Sequence, residues 1–158
     1  MATLEYLEGE GVLIRHQPDL DHGEMPERFV SYPPDFEQWL ETVLKTVPKL
    51  RDRNLFPYDQ VEQAFYEFAI GRPMAYDVHY KKLDPLLQHI WEFKTEDVRI
   101  FGWFPRKRHF LAIGGELKKN LLKKSLYAPH VENVRLFRLN LDLDEPKATQ
   151  GVTQNEVL

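Results

Sequence analysis

Residues 89–120, HIWEFKTEDVRIFGWFPRKRHFLAIGGELKKN, carry two apolar, strand-like runs that are interrupted and followed by dense basic clusters. β-Branched and aromatic side chains dominate Leu87–Lys94, Val98–Phe104 and His109–Ile113. Glu96-Asp97 and Pro105-Arg106-Lys107 fall where turns belong, so this region predicts an antiparallel meander. Asp77–Leu83 adds a strand on its N-terminal side. On its C-terminal side a short helix, from Gly115 or Glu116 to about Leu126, is expected to carry four lysines.

Working outward, Pro33-Pro34-Asp35 precedes Phe36, Trp39, Leu40, Val43 and Leu44, an apolar spacing that predicts a helix capped by Asp35 and ended near Val47-Pro48. Val61, Ala64, Phe65, Phe68 and Ala69 predict a second helix after Pro57, closed by Gly71-Arg72-Pro73. Residues 4–16 read as a strand followed by an irregular connection. Leu139, Leu141 and Leu143 alternate with polar residues, which predicts one last half-exposed strand before a polar, disordered tail from Glu145.

At 158 residues with 13% aromatic side chains, the chain can build one domain around a real core. No apolar run approaches the length of a membrane span, and the first residues lack the basic and apolar regions of a secretory signal, so a cytoplasmic protein is expected. The absence of cysteine excludes disulfides, thiolate catalysis and Cys-ligated zinc. The six histidines have no metal-ligand spacing, and no phosphate-binding, dinucleotide-binding or serine-hydrolase motif occurs; neither metal nor cofactor is expected.

The net charge of −4 conceals an asymmetry: residues 1–40 hold nine acids against two bases, and residues 94–124 hold nine bases against three acids. One reading is a basic face for phosphates. Another is an acidic N-terminal part folded back over the basic part. Arg106, Lys107, Arg108 and His109 sit at a hairpin tip, while Lys118, Lys119, Lys123 and Lys124 repeat at helical spacing. With Trp103, Phe104 and Tyr127 nearby for stacking, these residues suit RNA, although surface lysines are commonly just solvated. Glu92 and Lys94 share a strand face within cross-strand reach of Arg99, as a structural ion pair or as a site.

The order of the Trp39 and Phe65 helices, Gly71, Val78–Leu83, Ile90–Lys94, Val98–Phe101, Phe110–Ile113 and Lys118-Lys119 resembles the RelE/HigB-like toxin family, over about residues 35–125. The resemblance implies an α+β fold: two N-terminal helices packed on a mainly antiparallel RelE-like sheet, with a short basic helix and an extra C-terminal strand. It divides the chain into an acidic N-terminal extension (1–34), a RelE/HigB-like domain (35–144) and a polar tail (145–158). It also implies ribosome-dependent, metal-independent mRNA cleavage, in which the RNA 2′-hydroxyl attacks the adjoining phosphate. Lys94 and Arg99 would contact that phosphate, and His109 or Tyr127 would move protons. Arg106, Lys107, Arg108, Lys118, Lys119, Lys123 and Lys124 would grip the RNA backbone. The partners implied are RNA or the ribosome and an antitoxin or host protein. The chain departs from the family in its acidity, its longer ends and the lack of Tyr or His in 134–139, so a non-catalytic RelE-fold binder of RNA or a host protein is the alternative.

Overall fold

Two long strands, β5 (Val98–Arg106) and β6 (His109–Leu117), form the spine of the computed structural model, which describes residues 1–83, 88–124, 126–149 and 157–158. They pair antiparallel from Val98↔Leu117 to Arg106↔His109, and the register shifts at Gly102 and again beyond Trp103. A Cβ on Gly102 would lie 1.8 Å from the Leu111 carbonyl oxygen, so the first bulge accepts only glycine.

β4 (Trp91–Lys94) pairs with β5, and β3 (Tyr80–Lys82) covers β4, both antiparallel. On the other side β2 (Phe29–Tyr32) runs parallel to β6, and β1 (Ile14–Arg15) is antiparallel to β2. The described residues thus form a six-stranded mixed sheet, ordered β1-β2-β6-β5-β4-β3. The parallel pairing of β2 with β6 follows from the long crossover between β2 and the meander.

That crossover contains the two helices the apolar spacing predicts, α2 (Pro34–Thr42) and α3 (Pro57–Ala69), each opened by a proline in its first turn. Asp35 does not cap α2: Pro33 occupies the cap position without a side-chain bond, and Asp35 lies inside the first turn, where its charge suits the helix dipole. The helix also ends earlier than expected, passing into a 3₁₀ turn at Leu44–Thr46.

Two expectations are corrected at the ends of the chain. Residues 4–9 form helix α1 (Leu4–Gly9), with Thr3 Oγ1 accepting from the Tyr6 amide, and only Ile14–Arg15 make the strand. Among the described residues there is no extra C-terminal strand: after the short α4 (Lys118–Lys124), residues 127–140 form α5 (Tyr127–Asn140), and Leu143 makes one isolated bridge to Ala2. Val134 on α5 is fully buried against the sheet, and Val131 and Phe137 border the same core. Packing of this helical row outweighs the short leucine alternation at its end.

Helices cover both faces of the sheet. On one face Phe36, Leu40, Phe65 and Phe68 from α2 and α3 meet Tyr80, Trp91, Phe93, Ile100, Phe104 and Phe110, and Phe93 stacks on Phe110 at 4.1 Å. On the other face Leu4, Leu7, Leu121 and Val134 from α1, α4 and α5 meet Ile90, Phe101, Trp103, Leu111 and Ile113. Residues 1–34 supply two of the six strands and part of both cores. Ala148 and Val157 are buried as well, so described parts of the 145–158 segment pack on the domain.

Candidate active site

Alternation along the strands sends Lys81, Glu92 and Phe101 to the α5 face in one cross-strand row, with Lys94, Arg99 and Glu116 in the next. α5 begins directly above. Tyr127 sets its ring edge-on to Phe101 at 5.7 Å, and His130, one turn on, stacks flat on Phe101 at 4.7 Å with its Nε2 3.9 Å from Glu116. Sheet register and helix spacing together place two carboxyls, a guanidinium, a phenol and an imidazole beneath the start of α5.

Glu92 and Arg99 are almost wholly buried. Arg99 spends Nη1 on its neighbours' backbone, donating to the carbonyls of Thr95 at 2.6 Å and Val98 at 3.0 Å. Its Nε and Oε2 of Glu92 have no hydrogen-bond partner among the described residues, and groups of this kind cost free energy when buried unless something completes them. Burial pushes the Glu92 carboxyl above its ordinary range, opposed by the positive charge of Arg99 and by Tyr127. Burial and the Glu92 charge raise the Tyr127 phenol, so it stays protonated at neutral pH. Burial also depresses His130, which Glu116 partly offsets. A carboxyl drawn toward neutrality beside a phenol and a fixed cation is an acid–base arrangement.

Tyr127 also lines a cleft of about 530 Å³ between β3 and α5, bordered by Lys81, Lys82, Gln88, Val131 and Glu132. The phenol therefore stands between this opening and the buried pair. Lys94 sits at the margin, where its Nζ donates to the Asp77 carbonyl at 2.9 Å and pairs with its carboxylate at 3.2 Å.

The remaining sequence-predicted residues lie elsewhere. His109 is on the same sheet face but opposite Arg106, roughly 23 Å along β5 from Arg99 at 3.3 Å per residue. It is buried and bonds to Ser31 Oγ at 2.8 Å, and among the described residues its Nδ1 has no hydrogen-bond partner. Arg106 pairs with Glu5 of α1, while Lys107 and Arg108 are exposed at the hairpin tip. Lys118, Lys119 and Lys123 are exposed at the opposite end of the hairpin, where the Lys118 amide donates to the Asp97 carbonyl. The side chain of Lys124 lies outside the described residues. The hairpin tip and α4 are thus separated by the full length of the nine-residue strands and do not form one basic face.

The structure brings together Glu92, Lys94, Arg99 and Tyr127, and adds His130 and Glu116, which sequence reading did not single out. Their signal was the i, i+3 spacing of Tyr127 and His130, visible only once residues 127–140 are read as a helix. Among the described residues no three His, Asp or Glu side chains converge to hold a metal ion, and no helix is long and apolar enough to cross a membrane. Comparison with protein-family models, curated proteins and solved structures finds no match to this chain.

Proposed function

We propose that the chain is a ribosome-dependent mRNA endonuclease toxin of a toxin–antitoxin or phage-derived system, working without metal and held in check by an antitoxin. The supporting observation is that Glu92 and Arg99, both buried and each with a polar atom unpartnered among the described residues, lie behind a phenol that opens onto a cleft. In this reading the Glu92 carboxylate takes the proton of the RNA 2′-hydroxyl as the 2′-oxygen bonds to phosphorus. The bond from phosphorus to the 5′-oxygen breaks, and Tyr127 gives that oxygen its proton, leaving a 2′,3′-cyclic phosphate and a 5′-hydroxyl. Arg99 carries the negative charge that builds on the phosphoryl oxygens. Glu92 and Tyr127 then exchange the proton through solvent.

Induced expression of the chain is expected to arrest growth and to cleave translated messages. Arg99→Ala and Tyr127→Phe should each lower cleavage about 10²-fold, the usual cost of losing one such group. Circular dichroism of the purified variants checks that the fold survives. Undiminished cleavage in folded Arg99→Ala rules out this site.

A second reading, a non-catalytic RelE-fold protein that binds RNA or a host protein, draws on a different observation: Arg99 and Lys94 both have internal partners, and His109 is remote. Absence of cleavage together with salt-sensitive capture of a partner would favour it.

A further inference from the structure

A second cleft, of about 350 Å³, adjoins the first along α5, where the chain passes from Gln88 to His89. Ala128, Glu132, Arg135 and Leu139 recur every three or four residues and form one face of the helix running past both openings. From Tyr127 to Leu139 this path is about 18 Å long at 1.5 Å per residue. Lys81, paired with Asp77, borders one end and Arg135, Arg138 and Lys147 the other, four cations beside the carboxylates of Glu132 and Glu145; Lys82 also lines the first cleft, but its ammonium is buried over Trp91 beside His89. In a chain of net charge −4 this is a local reversal of sign.

The far end is short of negative charge. Arg138 is half-buried over Trp103 and, among the described residues, donates only to the backbone carbonyls of Gln88 and His89. Lys147 reaches the last carbonyls of α5, at Arg138 and Leu139. Among the described residues neither has a carboxylate within ion-pair distance; Glu132 is taken by Arg135, and Glu145 accepts only from the Lys147 amide. Two desolvated or tethered cations without a counter-charge suit an anionic group supplied from outside.

We propose that the α5 groove binds the phosphates of an unpaired RNA strand and leads it to the Glu92–Arg99–Tyr127 cluster. This rests on the RNA-directed reading above and adds to it the entry path and the form of the substrate. The cations follow the backbone, and Tyr127, with Val131 beside it, gives an unstacked base a flat surface where the path reaches the cluster. A duplex, with its bases already stacked and paired, cannot use that surface.

The test uses the full chain and a fluorescent, fully 2′-O-methylated twelve-nucleotide RNA, which lacks the attacking hydroxyl and so reports binding alone. Anisotropy titrations at several salt concentrations should show the Arg138→Gln/Lys147→Gln double variant binding at least tenfold more weakly. Its plot of log affinity against log salt should be shallower by about 1.4, the share of two phosphate contacts on a single strand. Lys45→Gln/Lys49→Gln, which removes the same charge elsewhere on the surface, should bind as the unmodified chain does. The same RNA annealed to its complement should bind at least tenfold more weakly than the single strand. Equal losses in the two double variants, or no loss in either, would overturn the groove. Thermal melts check the fold; if Arg138→Gln does not fold, Arg135→Gln/Lys147→Gln carries the same prediction. Groove-dependent binding without message cleavage would sink the nuclease reading and leave this one standing. Cleavage and binding both indifferent to the groove variants would do the reverse.

Discussion

His109 shows how one residue can look catalytic in sequence and serve structure instead. Ser31 donates its hydroxyl to Glu8, so His109 Nε2 carries the ring proton and donates to Ser31, and Glu8 is held in turn by Arg15 through two bonds. This relay, buried at its His109 end and part-exposed at Arg15, ties α1 and β1 to the start of β6. Burial and the nearby charges of Arg15 and Arg106 push the His109 pKa down to about 3. The unfolded chain therefore binds a proton at this position from about pH 6.5 downward, while the folded chain stays neutral until about pH 3. Stability from His109 is complete above pH 6.5 and falls as the pH drops, by up to roughly 1.4 kcal/mol per unit. Urea titrations between pH 7 and pH 4 should show a shallower acid loss in His109→Gln, with the part due to His130 remaining because it shifts the same way. Arg99, by contrast, shares the face that strand alternation predicts for Glu92 and Lys94, and the register sets Lys94 rather than Glu92 directly opposite it.

At the scale of elements, the meander could be read directly because its signal is local: β-branched and aromatic runs separated by polar turns. Gly102 carries a constraint that composition does not reveal, the passage of the Leu111 carbonyl through the space a side chain would fill. Gly102→Ala must part β5 from β6 or shift the bulge, and should destabilise by about 1–3 kcal/mol in chemical denaturation. An unchanged midpoint would show that the bulge relaxes freely. The leucine alternation that predicts a strand at the end of α5 fails for a related reason. Leu139, Leu141 and Leu143 alternate over only five residues, whereas the row that buries Val134 spans the helix but mixes polar and apolar groups, because half of it faces the Glu92 cluster and the groove. A helix that covers a polar site has a weak apolar stripe.

Across the whole molecule, the N-terminal segment that looks like an acidic appendage in sequence provides β2 between β1 and β6, and Leu4, Leu7, Leu13 and Val30 in the two cores. A chain lacking residues 1–34 should lose cooperative unfolding and associate through the uncovered edge of β6, as seen by near-ultraviolet circular dichroism and size-exclusion chromatography. A monomeric, cooperatively folding truncation would show that these strands are dispensable. The sequence by itself determined the helix pair, the meander and the placing of Glu92 and Lys94 on one strand face, because each depends on periodicities within a few residues of one another. Only the tertiary structure decided that β2 lies parallel to β6, that the hairpin tip and α4 sit at opposite ends, and that Glu92, Arg99 and Tyr127 meet. Those relations join residues distant in the chain, and their geometry is set by which faces must be buried together.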